Sequence, residues 1–385
     1  MAVNYMQYIG SVQQGGVTVP NVRFLVSGVD SKVRQIVGAN IVSSAYDRGK
    51  TLFVVDNTQS YNAMQTGFGR YQVVNALNGE VSLCNDLLNV NSLKSISRLR
   101  SLLSDLGFDG TRAMKIVTYL NFVKETQRRL GDSTALTIDI LEQYGSMMLV
   151  EWKLKQLVET GGLSEVNYRY LMGRYSEVSG AAADFETFLV LLSPFLGNTQ
   201  PAPGMAVHLP VGEFASDKPM QEMLSKLLIS YIKQNVSNAT VLILDDGNGE
   251  DRKFIIDILK NIPVSSEVHM LSNDAFTLGE ADRSILMNVF PVRIYTRHEN
   301  MTSCGRIECL CGQIDVVKHS STVTIDKRFR ANSAWDMLLG TNRTETSIAN
   351  APTKEYRFRK EIINTMYDGT GIIDYAGNKV MFSFV

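Results

Sequence analysis

The feature that most constrains the fold is a set of short, continuous apolar runs, each ending in polar residues and separated from the next by a helical pattern. The clearest run covers residues 241–244 and ends in Asp245-Asp246. Similar runs cover 22–26, 51–55 and 268–271. Strands that are apolar on both faces are typical of a parallel sheet covered by helices. The sequence therefore predicts an α/β fold with a mostly parallel sheet.

A helical segment interrupts this pattern. Between about 92 and 196 the strand signal is weak, and six apolar side chains recur at helical spacing along one face: Leu93, Ile96, Leu99, Leu102, Leu103 and Leu106. The Pro- and Gly-containing stretch 197–204 then reads as a linker. We predict an α/β domain formed by residues 1–85 plus 203–385, and an all-α domain inserted at 86–202.

Composition narrows the classes of protein that the chain can belong to. Its 385 residues include 38 Lys and Arg against 39 Asp and Glu, a net charge of −1, with 44% apolar and 20% charged residues. These values exclude wholesale disorder and a generally basic nucleic-acid coat. No apolar run reaches the ~20 residues that span a bilayer, so we expect no membrane span and a cytoplasmic location, with peripheral attachment to a membrane complex left open.

The cysteines do not predict a zinc site. Three of the four lie close together, as Cys304, Cys309 and Cys311, with His298 and His319 on either side. Zinc sites usually combine two pairs of ligands, each at C-x-x-C-like spacing, and this spacing is absent. We therefore expect no bound zinc. The sparse cysteines favour a reducing compartment over a disulfide-bonded fold.

The first candidate site is the loop from Gly28 to Lys32. It follows a predicted buried strand and opens a predicted helix, where backbone amides can hold phosphate and a lysine can reach it. The pattern G-x-x-x-x-G-K-[ST] is nevertheless absent, since the loop lacks its second glycine and the hydroxyl after Lys32. Asp30 would also place a carboxylate near phosphate. The alternative is an ordinary strand-to-helix turn with Asp30 or Ser31 as the N-cap.

The second candidate is the acidic pair Asp245-Asp246. Carboxylates at the carboxyl end of a buried parallel strand lie where α/β sheets bind ligands, and in phosphoryl-transfer enzymes they hold Mg²⁺ or orient water. The alternative is a polar turn that caps the next helix. Asp56, at the end of the run 51–55, is a weaker case of the same kind.

The order of these elements resembles the motor domains of type IV secretion and conjugation coupling proteins, which are FtsK/HerA-type ATPases with a RecA-like P-loop core and an all-α insertion. The resemblance rests on 206–211 (Ala-Val-His-Leu-Pro-Val), 241–246 and 268–273, and on the tail at 354–357, 362–364 and 371–373. It implies ATP and Mg²⁺ as cofactors. The implied site residues are Gly28, Ser31 and Lys32 at the Walker A position, Asp245 and Asp246 at the Walker B position, and Asn273 at a sensor position.

The departures from the family pattern decide the functional prediction. The short Walker A loop removes charge-assisted hydrogen bonds worth ~1.5–3 kcal/mol each, and a lysine alone would not replace them. We predict a degenerate ATPase that assembles or recruits cargo within a secretion, conjugation or DNA-translocation machine. The resemblance implies protein components of that machine as partners, DNA as a further one, and a homo- or hetero-hexameric ring. Two alternatives stay open: an active motor with an atypical P-loop, and a module that binds DNA or protein without nucleotide.

Overall fold

A computed structural model describes most of the chain. The described residues are 23–57, 60–61, 69–83, 88, 93–131, 136, 138–144, 146–197, 199–214, 216–247, 252–325, 344–375 and 377–384. They form two compact units. The larger comprises Met1–Arg297 and Tyr367–Val385, and the smaller is His298–Met366.

The larger unit is built on a nine-stranded sheet. Its strands are β1 (Phe24–Ser27), β2 (Thr51–Asp56), β3 (Gln72–Asn75), β4 (Met205–Leu209), β5 (Ala239–Asp245), β6 (Glu267–Ser272), β7 (Val292–Tyr295), β10 (Thr370–Tyr375) and β11 (Asn378–Ser383). The spatial order is β11-β10-β7-β1-β6-β5-β2-β4-β3. The seven strands from β7 to β3 are parallel, and β10 pairs antiparallel with both β7 and β11. The predicted α/β class with a mostly parallel sheet is confirmed.

The apolar runs identified in the sequence are the central strands. Every residue of β1, β2, β5 and β6 is buried. Helices cover both faces of such strands, which is why their apolar residues do not alternate with polar ones. Two separate apolar clusters border the sheet, one with Phe53 and Ile243 and one with Val54 and Leu242. Successive side chains of a strand point to opposite faces, so these neighbours pack into different layers.

Helices of the larger unit precede, interrupt and follow the strands. They are α1 (Ser31–Asp47), α2 (Leu93–Asp105), α3 (Gly110–Arg129), α4 (Ile138–Glu142), α5 (Met147–Glu159), α6 (Glu165–Val178), α7 (Ala182–Leu192), α8 (Lys218–Gln234), α9 (Lys253–Asn261) and α10 (Glu280–Val289). In α1, apolar residues at every fourth position are buried against the sheet, including Val33, Val37 and Ile41. Helices α2 to α7 all lie between β3 and β4 in sequence.

Aromatic residues hold the helical segment together. Tyr119 of α3 stacks on Phe185 of α7 with ring centroids 4.5 Å apart, and it contacts Tyr175 of α6 edge-on. The Tyr119 hydroxyl donates to the carbonyl of Tyr144 at 2.6 Å, so its polar end is satisfied in the core. These side chains belong to the same apolar cluster as Phe53 of β2. The boundaries of an inserted domain at 86–202 therefore remain a prediction.

One helical stretch of this segment, Glu165–Phe195, is long and apolar enough to cross a bilayer by length and composition alone. Several of its large apolar side chains, including Leu171, Phe185 and Phe188, are buried in the core of the unit, whereas Val166 and Val190 are exposed. Packing inside the protein thus accounts for the apolar character of the buried side chains.

The smaller unit combines a long hairpin with two helices. The hairpin pairs β8 (Gln313–Ile325) antiparallel with β9 (Thr344–Tyr356), and the helices are α11 (Met301–Cys311) and α12 (Lys360–Asn364). Sequence analysis did not separate this unit from the rest of the α/β domain. Its three cysteines all lie on α11.

The three cysteines of α11 differ in their exposure. Cys304 and Cys311 are buried, whereas Cys309 is exposed. The Cys304 Sγ lies 3.3 Å from the carbonyl of His298, and the side chain of His319 lies outside the described residues. Within the described part of the chain, we find no group of three His, Cys, Asp or Glu side chains that could hold a metal.

Candidate functional site

The register of the sheet brings the sequence-predicted residues to one edge. Ser27 of β1 lies opposite Ser272 of β6, and Ser272 lies opposite Asp245 of β5. The carboxyl ends of these three strands are therefore level. The β1–α1 loop, the Asp245-Asp246 pair and Asn273 all follow directly from them. We call this side of the sheet the carboxyl edge.

The loop between β1 and α1 is too short to surround a phosphate group. Only Gly28, Val29 and Asp30 separate the strand from the helix. The Gly28 amide donates to the carbonyl of Ser272 at 3.0 Å, and the Val29 amide donates to that of Arg297 at 2.8 Å. Gly28 has φ +139°, and a Cβ there would lie 2.0 Å from the Thr296 Oγ1. Glycine is required because the loop is pressed against its neighbours, and two of its amides are already bonded to them.

Asp30 occupies the anion position at the amino end of α1. Its Oδ1 accepts hydrogen bonds from the amides of Lys32 at 2.9 Å and Val33 at 3.4 Å. Its Oδ2 accepts from the amide of Gly369 at 2.5 Å, and the residue is 3% exposed. Free amides at a helix start are what makes it attract phosphate. Here the protein's own carboxylate takes them, which confirms the alternative that Asp30 is the N-cap.

Ser31 and Lys32 lie in the first turn of α1, and both are exposed. Ser31 borders the small cavity described below. Lys32 is not among the residues that line this cavity. Of the three residues at the predicted Walker A position, Gly28 packs tightly against its neighbours, and Ser31 alone borders the cavity.

Asp245 forms a buried ion pair. Its Oδ2 lies 2.7 Å from the Nε of Arg252, and both side chains are at most 3% exposed. Its Oδ1 accepts from the amide of Gly247 at 2.9 Å. Arg252 is anchored in turn by the carbonyl of Asp274 and the hydroxyl of Thr277, each at 2.6 Å. Burial raises the pKa of Asp245, and the Arg252 charge opposes part of that rise.

Asp246 is bound by three groups from different parts of the chain. Its Oδ1 lies 3.1 Å from the Nη1 of Arg34 on α1 and accepts from the amide of Asn273 at 3.1 Å. Its Oδ2 accepts from the hydroxyl of Ser60 at 2.9 Å. The same Arg34 Nη1 also donates to the carbonyl of Gly28 at 3.3 Å. The predicted sensor residue Asn273 therefore approaches the acidic pair through its backbone.

A small cavity lies among these side chains. Its volume is about 80 Å³, whereas pockets for small molecules and cofactors typically measure ~300–1,000 Å³. The residues that line it are Ser31, Arg34, Gln35, Ser60, Leu244, Asp245, Asp246 and Leu271. Between the described residues, the carboxyl edge therefore has room for a few water molecules rather than for a nucleotide.

The carboxyl edge does not fit ATP and Mg²⁺. A phosphate would have to replace the Asp30 carboxylate at the start of α1. A magnesium ion would have to compete with the guanidinium groups of Arg252 and Arg34 for the two aspartates. Each acid is already compensated at close range, and breaking a buried pair costs ~3–5 kcal/mol. We therefore derive no phosphoryl-transfer step at this edge.

Two arginines that decide the electrostatics of the site were missed by sequence reasoning. Arg34 lies one turn after Ser31 on α1, and Arg252 immediately precedes α9. Both positions are near the carboxyl edge once the strands are assigned, so their spacing from the strand ends was the available signal. Ser60 could not be found this way, because it bears no charge and belongs to no motif.

Asp56 is likewise used within the protein. It is 1% exposed, and its carboxylate accepts from the amides of Ser60 at 3.2 Å and Tyr61 at 2.9 Å. Its Oδ2 lies 3.4 Å from the Nε2 of His208 on β4. The interpretation of Asp56 as a weaker ligand position thus gives way to a capping role.

The sequence was compared with known proteins. It matches no protein-family model and no curated protein.

Solved structures do match. The unbound bacterial conjugative coupling protein TrwBdeltaN70 has a TM-score of 0.46 and 11% identity, over 97% of this chain and 90% of that one. VirB4 of Thermoanaerobacter pseudethanolicus has a TM-score of 0.45 and 11% identity, over 94% and 88%. The plasmid coupling protein TrwB in complex with ADP and Mg²⁺ has a TM-score of 0.43 and 12% identity, over 99% and 91%.

Strand β6 lies between β1, which carries the loop of Gly28, and β5, which carries Asp245. Helices α2 to α7 enter before β4 and β5, where the predicted insertion lies. The predicted α/β class with a mostly parallel sheet is thus confirmed, and the bounds of the inserted domain stay a prediction.

Proposed function

We propose that this protein is a non-hydrolysing member of the RecA-like ATPase fold that acts as an assembly or cargo-recruitment component of a secretion, conjugation or DNA-translocation machine. The observation that carries the proposal is the Asp30 carboxylate, which takes the amides at the start of α1. An NTPase of this fold needs those amides for phosphate. The fold is retained while the groups that would bind nucleotide bind one another instead.

The ion pairs of the acidic residues support the same proposal. In an active enzyme Asp245 and Asp246 would hold Mg²⁺ or orient the attacking water. Here Asp245 is paired with Arg252 and Asp246 with Arg34. Gly28, Ser31, Lys32 and Asn273 are then residues of a former site whose present role is structural.

The place of such a protein is a multi-protein machine. This chain is similar in structure to TrwB, a bacterial conjugative coupling protein, and to VirB4 of Thermoanaerobacter pseudethanolicus. We propose protein components of a related machine as partners, with DNA as a further candidate and a homo- or hetero-hexamer as the assembly. The helical segment predicted at 86–202 is the proposed contact for cargo. Localisation is proposed as cytoplasmic, peripheral to a membrane complex.

Thermal unfolding with and without MgATP and MgADP tests the nucleotide part of this proposal. A ligand at one hundred times its Kd stabilises the native state by ~2.7 kcal/mol, which would raise the unfolding temperature measurably. We expect no rise with either nucleotide at millimolar concentration. We also expect no phosphate release above the rate without protein.

Lys32→Ala is the variant that distinguishes the alternatives. Lys253→Ala serves as its matched control, because Lys253, like Lys32, is exposed in the first turn of a helix. A nucleotide-dependent rise that is lost in Lys32→Ala and kept in Lys253→Ala would contradict the proposal and establish the active motor with an atypical P-loop.

A further inference from the structure

A second, larger cavity lies away from the carboxyl edge, between α2, α8 and α9. Its volume is about 370 Å³, which falls within the range of small-molecule pockets. We call it the basic cleft. The residues that line it are Arg98, Ser101, Leu102, Ser225, Lys226, Ile229, Ser230, Lys233, Asp257 and Asn261.

Helical spacing explains why these residues face a common space. On α8, Lys226, Ser230 and Lys233 are separated by four and three positions, so they follow one face of the helix. On α9, Asp257 and Asn261 are four positions apart, and the Asn261 amide nitrogen donates to the Asp257 carbonyl at 2.9 Å. Three helices thus each contribute a row of polar side chains to the same opening.

The charge of the basic cleft is unusual for this chain. Among the residues that line the cleft, Arg98, Lys226 and Lys233 are cationic and Asp257 is anionic, so the lining carries 3 − 1 = +2. The whole chain has a net charge of −1. Cations that converge on a concave surface raise the local potential and attract anions.

Neutral residues line the rest of the cleft with hydroxyl groups and apolar side chains. Ser101 and Ser230 line the cleft with hydroxyls, which can donate to phosphate oxygens, whereas the Ser225 hydroxyl already donates to the carbonyl of Glu222 at 3.1 Å. Leu102 and Ile229 line it too, and both are at least nine-tenths buried. The cleft therefore offers cations and donors for an anionic group and apolar contact for the remainder of a ligand.

The basic cleft is separate from the carboxyl edge. Helices that connect parallel strands run antiparallel to them, so the later residues of α8 and α9 lie toward the amino ends of the strands. Lys233 and Asn261 belong to the last turn of their helices. No residue that lines this cleft also lines the cavity beside Asp245.

We propose that the basic cleft binds a small phosphate monoester. Arg98, Lys226 and Lys233 would contact the phosphate group, and Leu102 and Ile229 would contact the apolar part of the ester. The volume of the cleft suits a small molecule. A nucleic acid would need cations that continue along its backbone, and because α2 carries Lys94 and Arg100 besides Arg98, an oligonucleotide is included in the test below.

Lysines near helix C-termini also have an ordinary explanation, since they complement the helix dipole. Lys233 lies in the last turn of α8, and Lys260 lies in the last turn of α9. Only Lys233 lines the basic cleft, while Lys260 lies 3.7 Å from Asp282. Lys260 is therefore the matched control for a dipole role without a ligand role.

Calorimetric titration of the full chain with phenyl phosphate, at constant ionic strength and without magnesium or nucleotide, tests the proposal. We expect saturable binding of one molecule per chain, and weaker binding of inorganic phosphate, which lacks the apolar part. A charge-assisted hydrogen bond is worth ~1.5–3 kcal/mol, so Lys233→Gln and Lys226→Gln should each weaken binding by about tenfold or more. Lys260→Gln should bind as the wild type does.

Three results would overturn the proposal. They are no saturable binding of phenyl phosphate, equal weakening by Lys233→Gln and Lys260→Gln, and binding of a single-stranded oligonucleotide without binding of phenyl phosphate. Unchanged unfolding temperatures of the variants show that lost binding is not lost folding. The outcome is independent of the nucleotide experiment, because neither magnesium nor the residues of the carboxyl edge are involved.

Discussion

The two ends of the parallel sheet both contain a buried carboxylate, and the two carboxylates differ in the number of cationic groups that contact them. At the amino ends of the strands, Glu267 of β6 receives two hydrogen bonds from Arg48, at 2.8 and 2.6 Å, and one from Lys50 at 2.8 Å. His269 lies 3.2 Å from the same carboxylate. At the carboxyl edge, by contrast, Asp245 has one cationic partner, Arg252.

This difference shows in the pKa directions. Burial alone would raise the pKa of Glu267, but the bonds from His269, Arg48 and Lys50 outweigh burial and hold it well below its usual range. Burial raises the pKa of Asp245, because its one cationic partner, Arg252, does not offset the effect of burial. Glu267 at the amino end therefore has several positively charged partners, whereas Asp245 and Asp246 at the carboxyl edge have one arginine each.

Charged side chains at both ends of the sheet are paired with other groups of the protein, and this supports the proposal that the carboxyl edge does not bind nucleotide. A P-loop protein needs free amides and free carboxylates at this edge. Here Asp30 has taken the amides, and Arg252 and Arg34 have taken the carboxylates. The carboxyl edge therefore resembles the amino end in that its charged side chains bond to other groups of the protein.

The largest expected effect comes from removing Arg252. Arg252→Met leaves the buried Asp245 carboxylate without its cation and should lower the free energy of unfolding by ~3–5 kcal/mol, measured by urea denaturation. The variant also loses the hydrogen bonds of Arg252 to Asp274 and Thr277.

The double variant Arg252→Met/Asp245→Asn tests whether charge causes this loss. Removing both charges should recover part of the stability, because the uncompensated carboxylate is gone. If the double variant is as unstable as the single one, or if the single one loses less than ~1 kcal/mol, the ion pair does not hold this edge together.

Much of this architecture was predictable from the sequence. The runs at 51–55, 241–244 and 268–271 gave strands of the sheet, since continuous apolar runs bounded by polar residues leave few alternatives. The carboxyl edge was predicted to contain Asp245 and Asp246, because parallel strands end on the same side. Arg34 and Arg252 were not predicted, because their partners are 212 and 7 positions away and no motif links them.

The smaller unit shows where local reasoning fails. The hairpin of β8 and β9 pairs residues that lie far apart in sequence, from Gln313 with Tyr356 to Ile325 with Thr344. Neither strand has a strong apolar run, since Lys318, His319 and Ser320 interrupt the first of them. Strand pairing there depends on partners that a window of a few residues does not contain.

A smaller effect is expected at the start of α1. Asp30→Ala removes the N-cap, which is worth ~0.5–2 kcal/mol, together with the acceptor for the Gly369 amide. Asp30→Asn is the intermediate variant, because asparagine keeps one acceptor oxygen for the helix start but places an N–H2 group, which cannot accept, against the Gly369 amide. Urea denaturation should therefore rank wild type highest, Asp30→Asn second and Asp30→Ala lowest. Equal stability of all three would show that the carboxylate does not secure the helix start.

The smallest effect separates the two ends of the sheet by the direction of their pH dependence. Because the folded pKa of Glu267 is lowered, its contribution to stability is present above the unfolded value of ~4.3 and is lost as the pH falls below it. Because the folded pKa of Asp245 is raised, its contribution is present below the unfolded value of ~3.9 and is lost as the pH rises through the folded pKa.

Urea denaturation from pH 7 to pH 3 measures the contributions of both residues. The stability advantage of the wild type over Glu267→Gln should shrink on acidification, whereas its balance against Asp245→Asn should shift in favour of the wild type. Two variants with the same pH trend would show that the ends of the sheet do not differ in this way.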